Sequence, residues 1–123
     1  MRTFAAVPSD EPAALGGGDQ APNPVEQLLG ALGNCLAVGY AANATVAGIA
    51  IDELTIGLKG DVDLHVFLGL AEGHAGFDSI TATVHLKSAA PADQLAALHE
   101  RVQAFSPVGH TLTSPIPVAI TPA

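Results

Sequence analysis

Apolar positions dominate the stretch that follows Asn23-Pro24. From residue 28 to residue 51 the only polar side chains are Asn34, Cys35, Tyr40, Asn43 and Thr45. Asn23 suits an N-cap, because its side chain can accept one of the amide N–H groups a helix start leaves free. Pro24 suits the first helical position, where its missing N–H costs nothing. Gly48 can take the left-handed conformation that ends a helix. The pattern predicts a long helix over 24–47. With no polar face it should be fully buried, a sheet on one side and another helix or subunit on the other.

Ile49, Ile51, Leu54, Ile56 and Leu58 then predict a strand that ends at Gly60. Alternation continues through Val62, Leu64, Val66 and Leu68, which predicts a second strand over 61–68. Residues 72–76 form a loop. The stretch 77–88 is a third strand, with Ile80, Ala82, Val84 and Leu86 on one face and Thr81, Thr83, His85 and Lys87 on the other. A second helix opens at Ser88 or Pro91, its apolar stripe formed by Leu95, Leu98, Val102 and Phe105. Ser106-Pro107 interrupts that helix, and 108–112 is a short helical turn. Residues 115–120 finish as an edge strand, the place where a sheet tolerates proline. Ahead of the long helix, Phe4-Ala5-Ala6-Val7 reads as a short strand or extended arm, followed by a glycine-rich loop. The order defines an α+β domain over 1–123, without repeat or linker.

Composition narrows the function. The 123 residues carry 13% charged side chains, 12 acidic against four basic, for a net charge of −8. With no basic cluster among Arg2, Lys59, Lys87 and Arg101, phosphate backbones and anionic membranes are poor partners, and nucleic-acid binding is excluded. The apolar stretch is long enough to span a bilayer, but four glycines dilute it and no Lys or Arg flanks it, so a membrane span is not expected. The N-terminal residues show no secretory signal, and a cytoplasmic location is expected.

Cys35 is the single cysteine, so neither an intrachain disulfide nor a cysteine-rich zinc site is available. As a nucleophile it must be a thiolate, which needs a cation or a hydrogen-bond donor nearby. Its alternative role is that of a small buried apolar side chain. Glu26 is a candidate acid/base or thiol partner, one turn into the helix. Nine residues at 100° each place it about 180° around from Cys35 and ~13 Å along the axis, so it reaches the thiol only through another chain or a broken helix. Its other reading is a carboxylate stabilising the helix N-terminus. His65, His74, His85, His99 and His110 show no metal-binding spacing, and no metal or cofactor is expected. Asn43-Ala44-Thr45 matches a glycosylation sequon inside a buried helix and reads as chance. Gly16-Gly17-Gly18 lacks the Lys-Ser/Thr of a phosphate loop.

Taken in order, Asp10-Glu11-Pro12, Leu15-Gly16-Gly17, Asn23-Pro24-x-Glu26-Gln27-Leu28-Leu29-x-Ala31-Leu32-Gly33-x-Cys35-Leu36, Gly60-Asp61-Val62-Asp63-Leu64 and Phe105-Ser106-Pro107-Val108 resemble the OsmC/Ohr family of osmotically inducible and organic-hydroperoxide-resistance proteins. The resemblance covers about residues 10–121 and is most specific at the helix that carries the cysteine. It implies a long buried central helix packed against an antiparallel sheet in an intertwined homodimer, with sites at the dimer interface. There a cysteine thiolate attacks an organic hydroperoxide, a second cysteine resolves the sulfenate, and an Arg and a Glu assist.

On that pattern Cys35 takes the peroxidatic position. Ser106 stands where the resolving cysteine would be, and Val25 where the hydroperoxidases have their Glu. Glu26 matches the Glu of a more divergent OsmC-like branch that lacks the resolving cysteine. Arg2 is the N-terminal arginine on offer. The implied function is a one-cysteine thiol peroxidase that reduces organic hydroperoxides in an oxidative stress response, with an external thiol as reductant. The alternative is a non-catalytic dimeric binding protein for a small apolar ligand.

Overall fold

A computed structural model of the chain describes residues 6–123. Helix α1 spans Pro24–Ala47, 24 residues, with the bounds its terminal residues predict. Asn23 Oδ1 accepts from the Glu26 amide at 2.9 Å, and Glu26 Oε2 accepts from the Asn23 amide at 2.9 Å, a reciprocal capping box. At the far end Gly48 adopts φ 69° and donates its N–H to the carbonyls of Ala44 and Thr45. Leu32, Leu36, Tyr40 and Ala44, four residues apart, form the buried stripe. The helix is not buried all round, however. Val38 and Val46 on other faces are 70% and 87% exposed, because the sheet and the shorter helices of one chain cover only one side of α1.

Strands β1 (Glu53–Gly60) and β2 (Ile80–Lys87) pair antiparallel from Glu53↔Lys87 to Gly60↔Ile80. Leu54, Ile56 and Leu58 of β1 and Ile80, Val84 and Leu86 of β2 pack against the buried cluster, as the alternation predicts. β1 starts at Glu53 rather than residue 49, since the Ile49 amide is taken by the Ala44 carbonyl at the end of α1. The expected strand over 61–68 is instead the short helix α2 (Leu64–Phe67). Asp63 decides this, its carboxylate accepting from the His65 amide at 2.8 Å and nucleating a turn. That bond, first among several, holds the Asp63 carboxyl below its ordinary value.

Helix α3 (Ala92–Ala104) buries Leu98 and Val102. Phe105, expected in the same stripe, lies just past the last helical residue and is 69% exposed. The α1–α3 crossing is close at Gly39, where an added Cβ would lie 3.1 Å from Val102 Cγ1. The helical turn expected over 108–112 is helix α4 (Pro107–Thr113), one residue longer at each end. Residues 115–120, expected as an edge strand, have neither helix nor strand character, because no neighbouring strand lies beside them. The expected N-terminal strand falls mostly outside the described residues, and Ala6 and Val7 take no part in the sheet. No described helix is long and apolar enough to cross a membrane.

The buried core joins the α1 stripe to Ile49, Leu98 and Val102. Its one phenol, Tyr40, sits 2.7 Å from His99 Nδ1, with the rings edge to face. Burial holds the Tyr40 phenol above its ordinary value of 10.0. The folded chain therefore keeps a proton that the unfolded chain loses near pH 10. Stability from this group is complete below that point and declines as pH rises toward the folded value. Tyr40→Phe is expected to remove the alkaline decline while costing about 1 kcal/mol at neutral pH for the lost hydrogen bond. Urea melts on both sides of pH 10 read the two effects separately.

Candidate functional site

Cys35 sits at the start of the fourth turn of α1, partly buried, on the flank that faces α3 rather than in the stripe that meets the sheet. What meets it comes from 71 residues further along the chain. Ser106 Oγ lies 3.4 Å from Cys35 Sγ, and Ser106 is only 5% exposed. Two local causes fix that serine. Pro107 starts α4 with a preset φ, and Ser106 caps the helix, its Oγ accepting the Gly109 amide at 3.1 Å. With a lone pair engaged by that N–H, the hydroxyl hydrogen is free to point at sulfur.

The thiol opens on a groove of about 370 Å³ between α1 and the α3–α4 corner. Val38, Gly39, Val102, Phe105 and Pro107 make its walls apolar. At its far end Asn43 Oδ1 accepts from Arg101 Nε at 2.8 Å, while the guanidinium lies 5.2 Å from the Phe105 ring centroid. Asn43 is in turn anchored through its Nδ2, which donates to the Gly39 carbonyl at 2.8 Å. Eight residues of helix separate Cys35 from Asn43, about 12 Å of rise, so Arg101 marks the groove's end and not the thiol. The arrangement can hold an apolar molecule against a sulfur atom whose hydrogen-bond partner is a neutral hydroxyl.

The other expected site residues lie elsewhere. Glu26 is spent on the capping box of α1, and no hydrogen bond joins it to Cys35 among the described residues. Arg2 is outside the described residues. His99 meets Tyr40, His110 Nε2 donates to the Ala104 carbonyl at 2.7 Å, and His65 faces Asp63. Among the described residues no three potential ligands gather to hold a metal. Arg101 and Phe105 were absent from the sequence-derived site. Their spacing of four on the end of a helix was the sign that they act as a pair.

A single thiol on a long helix, met by a helix-capping hydroxyl at the mouth of an apolar groove, defines a thiol-centred α+β domain. The family of OsmC-like proteins matches residues 16–121, and the chain belongs to that family. A search of curated proteins gives no match. Solved structures share the fold. An OsmC-like protein from Mycoplasma pneumoniae is 18% identical with a TM-score of 0.70, over 84% of this chain and 68% of that one. A candidate osmotic stress induced and detoxification response protein from Psychrobacter arcticus 273-4 is 14% identical with a TM-score of 0.68, over 84% and 69%. An organic hydroperoxide resistance protein OsmC from Legionella pneumophila, described as a predicted redox protein, is 17% identical with a TM-score of 0.58, over 84% and 70%.

Proposed function

We propose that the protein is a one-cysteine thiol peroxidase for apolar organic hydroperoxides, working as a homodimer. The observation that carries this reading is the Cys35 thiol at the mouth of an apolar groove with the Ser106 hydroxyl 3.4 Å away. The groove receives the organic part of ROOH, and the Ser106 O–H donates to the sulfur in its thiolate form. The thiolate attacks the terminal peroxide oxygen, the O–O bond breaks, and the leaving alkoxide takes a proton to become ROH. Cys35 is left as sulfenic acid. Two molecules of an external thiol return it to thiol, releasing a disulfide and water. The homodimer is supported by the exposed apolar side chains on α1, Val38 and Val46, which a second copy would cover.

The test is stopped-flow consumption of cumene hydroperoxide with a small dithiol present. The wild type is expected to turn over, and Cys35→Ser to lose all consumption above the protein-free rate. Without dithiol, one equivalent of peroxide should give a dimedone adduct on Cys35. A native thiol that survives excess peroxide with no adduct overturns the peroxidase reading. The groove then stands as a binding site for a small apolar ligand.

A further inference from the structure

The seam between α1 and α3 continues past the thiol groove into a second hollow of about 260 Å³. Cys35, Gly39 and Asn43, four residues apart on α1, line the thiol groove, and Asn43 and Ala47 line the hollow beyond it. The hydrogen bond from Arg101 to Asn43 is therefore the partition between the two. Beyond it the floor is Ile49 and Leu98, both buried, flanked by Ala47 and Ala97. Polar side chains stand only at the ends, Arg101 and Asn43 at one and Gln94 at the other. Seven residues of helix separate Arg101 from Gln94, about 10 Å of rise. The hollow is slightly smaller than the ~300–1,000 Å³ of most small-molecule sites, so its ligand is short.

At the partition this hollow offers a fixed cation whose charge is unspent. Arg101 Nε donates to Asn43 Oδ1, Asn43 is tied to the Gly39 carbonyl, and the guanidinium lies against the Phe105 ring. Amide and ring are both neutral, so they orient the guanidinium without cancelling its charge. Among the described residues the one ion pair joins His65 to Asp63, and no carboxylate neutralises Arg101. That holds in a chain with 12 acidic side chains against four basic ones. The N–H donors of the two terminal nitrogens remain, in the planar fork that matches the two oxygens of a carboxylate. The net charge of −8 repels anions at long range. Physiological salt screens that repulsion beyond ~8 Å, so the bidentate contact decides.

We propose that this hollow binds a short-chain monocarboxylic acid, the carboxylate on the terminal nitrogens of Arg101 and the apolar tail over Ile49 and Leu98 toward Gln94. The partition keeps the site separate from Cys35, and it stands whether or not the thiol reduces peroxide. An alcohol of the same length keeps the tail contacts but forfeits the charge-assisted pair of hydrogen bonds. A dicarboxylate is rejected, because its second charge would lie on the apolar floor.

Titration of isotope-labelled protein with sodium hexanoate, followed by NMR, tests it. Hexanoate is expected to shift the amide signals of Ile49, Ala97 and Leu98 and the side-chain amide of Gln94, and to saturate. Hexanol is expected to bind at least about tenfold more weakly, the loss of one charge-assisted contact. Arg101 is exposed, so Arg101→Gln should keep the fold by far-UV circular dichroism. That variant is expected to lose at least about tenfold in affinity for hexanoate and nothing for hexanol. Hexanoate that causes no saturable shift overturns the site. Hexanol bound as tightly as hexanoate overturns carboxylate recognition, and wild-type affinity in Arg101→Gln overturns the role of the guanidinium. Shifts confined to Val38 and Phe105 would put the acid in the thiol groove and overturn the proposal as well.

Discussion

Replacing Leu32 with aspartate is expected to leave the chain largely unfolded at 25 °C. Leu32 lies in the buried stripe of α1 and is packed within the central apolar cluster. No described Lys or Arg belongs to that cluster, so the new carboxylate would have no partner in the fold. An uncompensated buried charge costs about 3–5 kcal/mol, and the lost leucine packing adds about 2–5 kcal/mol. A domain of this size is stable by about 5–15 kcal/mol, so the two losses consume most or all of it. Leu32→Met keeps the volume and is expected to cost less than about 1.5 kcal/mol. Urea titration followed by circular dichroism separates the two. A cooperative transition for Leu32→Asp within about 1 kcal/mol of the wild type would show that Leu32 is not a core position.

Ser106→Cys is expected to change the product of oxidation altogether. The two γ atoms stand 3.4 Å apart and branch from equivalent points of their side chains. A small rotation about each Cα–Cβ bond brings two sulfurs there to bonding distance, about 2.05 Å. One equivalent of hydroperoxide then takes one hydrogen from each thiol, forms the S–S bond and leaves ROH and water. The thiol titre is expected to fall from two to none within a single chain, and the dimedone adduct of the wild type to disappear. Loss of the serine cap from α4 should cost only about 1 kcal/mol, so the variant folds. Two free thiols after oxidation, with an adduct still forming, would mean that the helix-capping rotamer holds position 106 away from sulfur.

Both predictions depend on places where chain-local reasoning and structure differ in reach. The bounds of α1 were legible because Asn23, Pro24 and Gly48 each act on the backbone next to them. The faces of β2 were legible because a two-residue period held over eight residues suits a strand with one covered face and cannot line one side of a helix. Residues 61–68 have the same period, yet one carboxylate at Asp63 captures the His65 amide and winds the chain into α2. A side-chain cap outweighs alternation when no neighbouring strand rewards it. The segment 115–120 shows the converse, a strand pattern with no ladder in its own chain. The approach of Cys35 to Ser106 was reachable only through family resemblance, since no local rule links residues 71 positions apart. Phe105 and Arg101 were missed because the stripe assigned to α3 runs one residue past the helix end.

The scarcity of positive charge has a practical side. Trypsin cuts after Lys and Arg, and needs several residues of extended, unbonded backbone around the cut. Lys59 and Lys87 are held in the β1–β2 ladder, paired with Thr81 and Glu53, and Arg101 lies within α3. The Lys59–Gly60 and Arg101–Val102 bonds therefore lie within regular structure and open only when β1 or α3 does, whereas Lys87–Ser88 lies at the end of β2. Digestion of the native protein after Lys59 and Arg101 becomes a direct measure of how often its first strand and its third helix come apart.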